Sequence, residues 1–310
     1  MRIVALAGGV GGAKLAHGLA QILAPHELTI IVNTADDFEH LGLHISPDLD
    51  TVCYALAGTS SRRTGWGRRD ETWNTLKGLQ ELGGPTWFRL GDRDLATHLE
   101  RTRRLQLGEP LSQIVREFCQ AWGIGHGILP MTDSAVRTIV RTDVGDLDFQ
   151  AYFVERRCEP QVTGFEFRGA AQASAAPGVI ASLERADGVV ICPSNPWVSI
   201  GPILSIPGIR TTIEAGKAVA ISPIIGGEAV RGPAAKMYRE LGFRPSALAV
   251  AEHYRDVASG FVLDEIDSGL ERQIQDLGIR TLVTKTLMRT TAGRRRLARH
   301  VLDFLRDMQK

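Results

Sequence analysis

The 310-residue sequence has almost no net charge: 36 lysines and arginines stand against 35 aspartates and glutamates, leaving +1. No global field draws such a chain to nucleic acid or to an anionic membrane, so any anion it binds is met by local design. It has only four cysteines, Cys53, Cys119, Cys158 and Cys192, far apart and in no CxxC pair. That excludes a zinc ribbon and a small disulfide framework, and it suits a reducing compartment. No apolar run approaches the ~20 residues that cross a bilayer. The first apolar run breaks at once into glycines, so no signal peptide is read there. We expect a cytoplasmic protein with neither a nucleic-acid nor a membrane partner. Pro/Ser-rich linkers, repeats and low-complexity tracts are also missing. Two nucleotide-binding patterns are lacking as well: GxGxxG spacing, and the GK[ST] ending of a Walker A loop.

What is present reads as an ordinary globular protein, 44% hydrophobic and 23% charged. Its 33 glycines exceed the ordinary share of about 7%, so tight turns and close backbone approaches are expected. Ile3–Ala7 is a short continuous apolar run, the pattern of a strand buried on both faces of a parallel sheet. Gly8–Gly12 follows as a loop, and a helix is expected from Ala13 with Leu15, Leu19 and Leu23 buried. Leu28–Val32 is the second strand, which completes a β-α-β unit with a right-handed crossover. Helices are expected from Asp48 to Leu56, Glu71 to Leu82, Leu95 to Arg104, Leu111 to Trp122 and Leu297 to Met308. Strands are expected at Gly127–Pro130, Val136–Val140, Leu147–Val154, Gly188–Pro193, Ala218–Pro223, Ala247–Val250 and Thr281–Val283. The pair around the turn Asp143–Asp146 reads as an antiparallel excursion. The expected fold is α/β: one doubly wound, Rossmann-like, mostly parallel sheet over residues 1–310, with a helical insertion near residues 55–125.

Five segments carry candidate chemistry. Gly8-Gly9-Val10-Gly11-Gly12-Ala13-Lys14 lies between a strand and a helix, where free N–H groups and the helix dipole favour phosphate, with Lys14 within reach. Asn33-Thr34-Ala35-Asp36-Asp37-Phe38-Glu39-His40 follows the second strand, so it sits at the sheet edge where α/β proteins bind ligands. Three carboxylates beside an anion site call for a cation or a hydroxyl-bearing substrate. In Ser46-Pro47-Asp48-Leu49-Asp50-Thr51, one acid can cap the helix while the other meets metal or substrate. Trp87 to His98 gathers aromatics for a flat ring, with Arg89, Asp92 and Asp94 as polar partners. Ser194-Asn195, between Pro193 and Pro196 at another strand end, suits hydrogen bonds to a ring edge or phosphate.

Together these segments resemble the 2-phospho-L-lactate transferase family, which makes the precursor of the deazaflavin coenzyme F420. The run from Asn33 to Thr51 carries most of the resemblance; the glycine segment, Trp87–His98 and Pro193–Pro196 add to it. The family usually has Gly where Ala35 stands. The resemblance implies a phosphotransferase that uses Mg²⁺ and two small-molecule substrates. One is a guanosine diphosphate ester of a three-carbon acid: lactyl, enolpyruvyl or glyceryl. The other is Fo, a deazaflavin with a ribityl tail whose terminal hydroxyl attacks the phosphorus. GMP leaves, and F420-0 or its dehydro form results. On this reading Gly9, Gly11, Gly12 and Lys14 hold the diphosphate, and Asn33 and Thr34 also contact substrate. Asp37, Asp48 or Asp50 holds Mg²⁺ or orients the hydroxyl, with Asp37 and Asp50 as the catalytic pair. Asp50 and Arg89 contact Fo, with Trp87 and Phe88 nearby, while Ser194 and Asn195 contact guanosine. A homodimer is compatible with this. The alternative is a regulatory protein similar to the gluconeogenesis-factor family, which binds nucleotide sugars and shares the glycine segment and the acidic turn.

Overall fold

The computed structural model describes residues 1–61, 64–213 and 217–310. In chain order the elements are β1 (Ile3–Ala7), α1 (Gly9–Ala20), β2 (Leu28–Val32), β3 (Phe38–His40), β4 (Leu43–Ile45) and α2 (Pro47–Leu56). Next come α3 (Asn74–Glu81), α4 (Asp92–Gln106), α5 (Leu111–Ala121), β5 (Gly127–Pro130), β6 (Arg137–Thr142), β7 (Gly145–Asp148) and β8 (Val162–Arg168). They are followed by α6 (Val179–Glu184), β9 (Gly188–Ile191), α7 (Gly201–Ser205), α8 (Ile209–Thr212), β10 (Ala218–Ile221), β11 (Ile224–Ile225) and β12 (Glu228–Ala229). The chain closes with α9 (Ala234–Glu240), α10 (Ala247–Tyr254), β13 (Gly260–Leu263), α11 (Glu271–Gln275), β14 (Arg280–Val283) and α12 (Thr291–Met308).

Seven strands form one sheet in the order β14-β13-β10-β9-β1-β2-β5, and every neighbouring pair runs parallel. The fold is therefore α/β with a parallel central sheet. Side-chain alternation splits each strand between two cores. Ile3, Ala5 and Ala7 of β1 join the core under α1, α2, α5 and α12. Val4 and Leu6 join the core under the helices from α6 to α11. The inner strands β1, β2, β9, β10 and β13 are thus buried on both sides, which is why they read as continuous apolar runs rather than alternating ones. From β1 the chain builds outward through β2 and β5 on one side and, later, through β9, β10, β13 and β14 on the other. The switch point is between β1 and β9, and the carboxyl ends of strands at such a point are where open α/β sheets bind ligands.

The structure corrects the sequence reading at several places. The glycine run is not a loop: Gly8 is the N-cap and α1 begins at Gly9. The stretch Ala247–Val250 is helical; alanine favours helix, and Ser246 caps it by accepting from the Ala249 amide at 3.1 Å. The strand of that region is β13 instead. Strand β7 ends at Asp148, and residues 151–155 make a short wide helical turn. Strand β8, not anticipated, pairs with β6 to make a separate antiparallel sheet in the order β7-β6-β8. Helix α3 is shorter than expected and α4 longer. Among the described residues, no helix is long and apolar enough to cross a membrane.

Candidate active site

The β1–α1 junction, the β2 exit and the start of α2 meet at the sheet edge. Asp48 in the first turn of α2 does not cap its own helix. Its Oδ1 accepts from the Gly9 amide at 2.7 Å and its Oδ2 from Asn33 Nδ2 at 3.0 Å. Asn33 also donates to the Val198 carbonyl at 3.2 Å, and its Oδ1 accepts from the Ala35 amide at 2.9 Å. This fixes the tight turn in which Thr34 O accepts from the Asp37 amide at 3.2 Å. Asp37 Oδ2 accepts from Ser46 Oγ at 2.7 Å and lies 3.1 Å from His44 Nε2 on β4.

Three carboxylates, Asp36, Asp37 and Asp48, are thereby buried together. Asp36 Oδ1, Asp37 Oδ1 and Thr34 Oγ1 are buried with no hydrogen-bond partner. Burial, aided by the Asp48 charge, pushes Asp36 well above the usual carboxylate range. Burial pushes Asp48 up to about 6, against the Asn33 and Gly9 donors that hold it down. A fold that keeps such groups leaves room for a ligand that satisfies them.

The glycines divide by role. Gly9 has φ +61° and open space where a Cβ would stand. Gly11 and Gly12 instead leave room for the chain itself: a Cβ would meet the Pro193 carbonyl at 2.2 Å and Ser194 Oγ at 2.6 Å. Ser194 Oγ donates to the Gly8 carbonyl at 2.8 Å. Asn195 Oδ1 caps the turn at 196–200 by accepting from the Trp197 and Val198 amides. Gly11, Gly12, Ser194 and Asn195, all expected to touch substrate, make these contacts within the chain, where the β1–α1 junction meets the β9 exit. Lys14 is half-buried on α1; burial, then Arg294 and Arg231, lowers its pKa.

An aromatic cluster stands beside the acidic turn. Phe38 and His40 of β3 meet Trp87 and Phe88, with ring centroids 4.8 Å apart for Phe38–Phe88 and 5.1 Å for His40–Trp87. Arg89 is exposed and lies 4.6 Å over the Trp73 ring.

Asp50 lies one helical half-turn from Asp48 in a different environment. It forms a two-pronged ion pair with Arg101 of α4, with Nη1 3.1 Å from Oδ2. His98 and Asp94 of the same helix complete the group, and Tyr54 OH donates to Asp94 at 2.7 Å. Among the described residues, Asp50, Asp94 and His98 bring ligand-type atoms within 4.8 Å of one another; Asp37 and Asp48, expected to share a metal with Asp50, are not in that group. Arg101, His44 and Ser46 were not anticipated. A signal for Arg101 existed: Asp94, His98 and Arg101 recur at i, i+4 and i+7, the spacing of a buried stripe, here filled with polar residues.

The chain matches the family model of 2-phospho-L-lactate transferase CofD over residues 3–285. It is a member of that transferase family. It is 41% identical over 317 residues to a phosphoenolpyruvate transferase of Streptomyces griseus, covering 100% of both chains. It is also 41% identical over 302 residues to a 2-phospho-L-lactate transferase of Methanosarcina acetivorans, covering 97% of this chain and 98% of that one. In fold it is similar to a UPF0052-family protein of Bacillus halodurans, with TM-score 0.62 and 14% identity over 97% of this chain and 98% of that one.

Proposed function

We propose that this transferase moves a phospho-three-carbon-acid group, of the 2-phospholactate, phosphoenolpyruvate or 3-phosphoglycerate type, from a guanosine diphosphate ester to the ribityl hydroxyl of Fo. GMP is released, and F420-0 or its dehydro form is made. One observation carries the reading: the buried Asp36–Asp37–Asp48 group stands at the carboxyl edge of the switch point, beside an aromatic cluster suited to a flat ring. Phosphoryl transfer asks for positioning and charge neutralisation more than for covalent chemistry. The diphosphate would lie against Gly9 and the start of α1, with Lys14 on the same helix. The deazaflavin ring would rest on Trp87, with Phe88 nearby and Arg89 toward the outside. Asn33 and Thr34 would align the reacting groups, and Asp37 and Asp50 would orient the attacking hydroxyl. Ser194 and Asn195 would shape the guanosine side through the backbone they hold.

The acidic group offers donors suited to Mg²⁺, although among the described residues Asp36, Asp37 and Asp48 do not bring one ligand atom each within 4.8 Å of one another. Its donors are hard oxygens, and Asp36 Oδ1 and Asp37 Oδ1 are buried without partners, which suits a small dication. Asp36, Asp37 and Asp48 would hold it, whereas Asp50 already has Arg101 as counter-charge. When bound, the ion would neutralise charge on the phosphate oxygens.

The test is mass spectrometry of the product formed from Fo and each guanylated acid. A phosphodiester product with one acid supports the reading and names the acid. Binding of a nucleotide sugar with no binding of Fo would favour the regulatory alternative.

A further inference from the structure

Among the described residues Arg101 is the largest fully buried side chain, 1% exposed. A guanidinium removed from water this completely depends on acceptors from the chain; the two Nη atoms find them, whereas Nε is buried without a partner. Its Nη1 is surrounded by three acceptors: Asp50 Oδ2 at 3.1 Å, His98 Nδ1 at 3.2 Å and the His44 carbonyl at 3.4 Å. Since a guanidinium only donates, His98 Nδ1 faces it with its lone pair and the ring proton is on Nε2. That nitrogen lies 3.5 Å from Asp94 Oδ1, buried and without a hydrogen bond. One carboxylate, Asp50, an imidazole lone pair and a carbonyl thus converge on the guanidinium, while Asp94 stands on the far, Nε2 side of the His98 ring, so the chain's own cation occupies the Asp50–His98 side of the group.

We propose that Arg101 is the built-in cation of an Asp50–Asp94–His98 metal-type cluster: a positioning residue that fixes Asp50 and keeps divalent ions out of this cluster. The assignment deepens the proposed transferase reading, in which Asp50 orients the acceptor hydroxyl. Borderline metals are the natural probes, because a mixed carboxylate and imidazole set suits Co²⁺ or Zn²⁺ better than Mg²⁺. Coupling to the proposed Mg²⁺ group runs through His44, whose carbonyl accepts from Arg101 while its ring meets Asp37.

The experiment is titration of the full chain with Co²⁺ alone, followed by visible absorption and without substrate. Arg101→Met is expected to gain a visible Co²⁺ band that the parent lacks, and Arg101→Met/His98→Ala is expected to lose it. Arg101→Lys, which keeps the positive charge, is expected to show no band. A folded Arg101→Met chain that gains no band would overturn the proposal. So would a band in the parent that disappears in His98→Ala, and that second comparison decides the matter even if Arg101→Met does not fold. Because no substrate is present, either result stands apart from the product assay that tests the transferase reading.

Discussion

Asp48 Oδ1 lies 2.7 Å from the amide nitrogen of Gly9, so the anion at the start of α1 is a carboxylate of the chain itself. The phosphate cradle read from the glycine run is therefore half-occupied from within, by an acid whose own charge is costly there.

That cost sets a pH dependence. Asp48 is raised from 3.8 to about 6 by burial, so the fold favours its protonated form. Its stabilising contribution is complete below about pH 4 and is lost as pH rises through 6. In metal-free buffer, Asp48→Asn should gain on the parent by about 3 kcal/mol between pH 4 and 7. Urea unfolding of both proteins across that range checks it; a difference that stays flat with pH would refute the assignment.

Divalent ions should act in the opposite direction. Mg²⁺ added at pH 8 is expected to raise the melting temperature of the parent, since a ligand that binds only the native state stabilises it. The same addition to Asp36→Asn or Asp37→Asn should give a clearly smaller rise. An equal rise in all three would place the ion elsewhere.

The glycines should separate by role. Gly11→Ala forces a methyl to 2.2 Å from the Pro193 carbonyl, and overpacking of this kind costs about 1–3 kcal/mol. Gly9→Ala meets no atom, so its stability loss should be limited to its positive φ, about 1 kcal/mol. Thermal unfolding of the two variants compares them directly, and Gly11→Ala should melt lower.

Asn195→Ala should behave as a lost helix cap. Its Oδ1 holds the Trp197 and Val198 amides, and such caps contribute about 1 kcal/mol. The melting temperature should fall while calorimetric affinity for GMP changes little; a large affinity loss at unchanged stability would make Asn195 a direct ligand.

Trp87→Ala should weaken Fo binding without weakening GMP binding. Loss of one stacking ring is expected to reduce Fo affinity about tenfold, read by deazaflavin fluorescence. Equal losses for both ligands would point to collapse of the aromatic cluster instead.

The parallel sheet was legible in the residue pattern alone. Strands buried on two faces are short apolar runs wherever they occur, and β1, β2, β9 and β10 were legible for that reason. The pattern also marked the sheet edge as the place for chemistry, because Asn33 and Asp37 directly follow β2. It failed where a short apolar run suits both states, as at Ala247–Val250, and where a helix needs no cap beyond glycine, as at Gly8. What each polar group meets depends on how the helices pack. That Asp48 turns to Gly9 while Asp50, two residues on, turns to Arg101 follows from α2 being wedged between α1 and α4, so that adjacent acids leave it in different directions. The sequence spacing of Asp48 and Asp50 is local, but the amide and the guanidinium that receive them are brought there by the packing of separate helices.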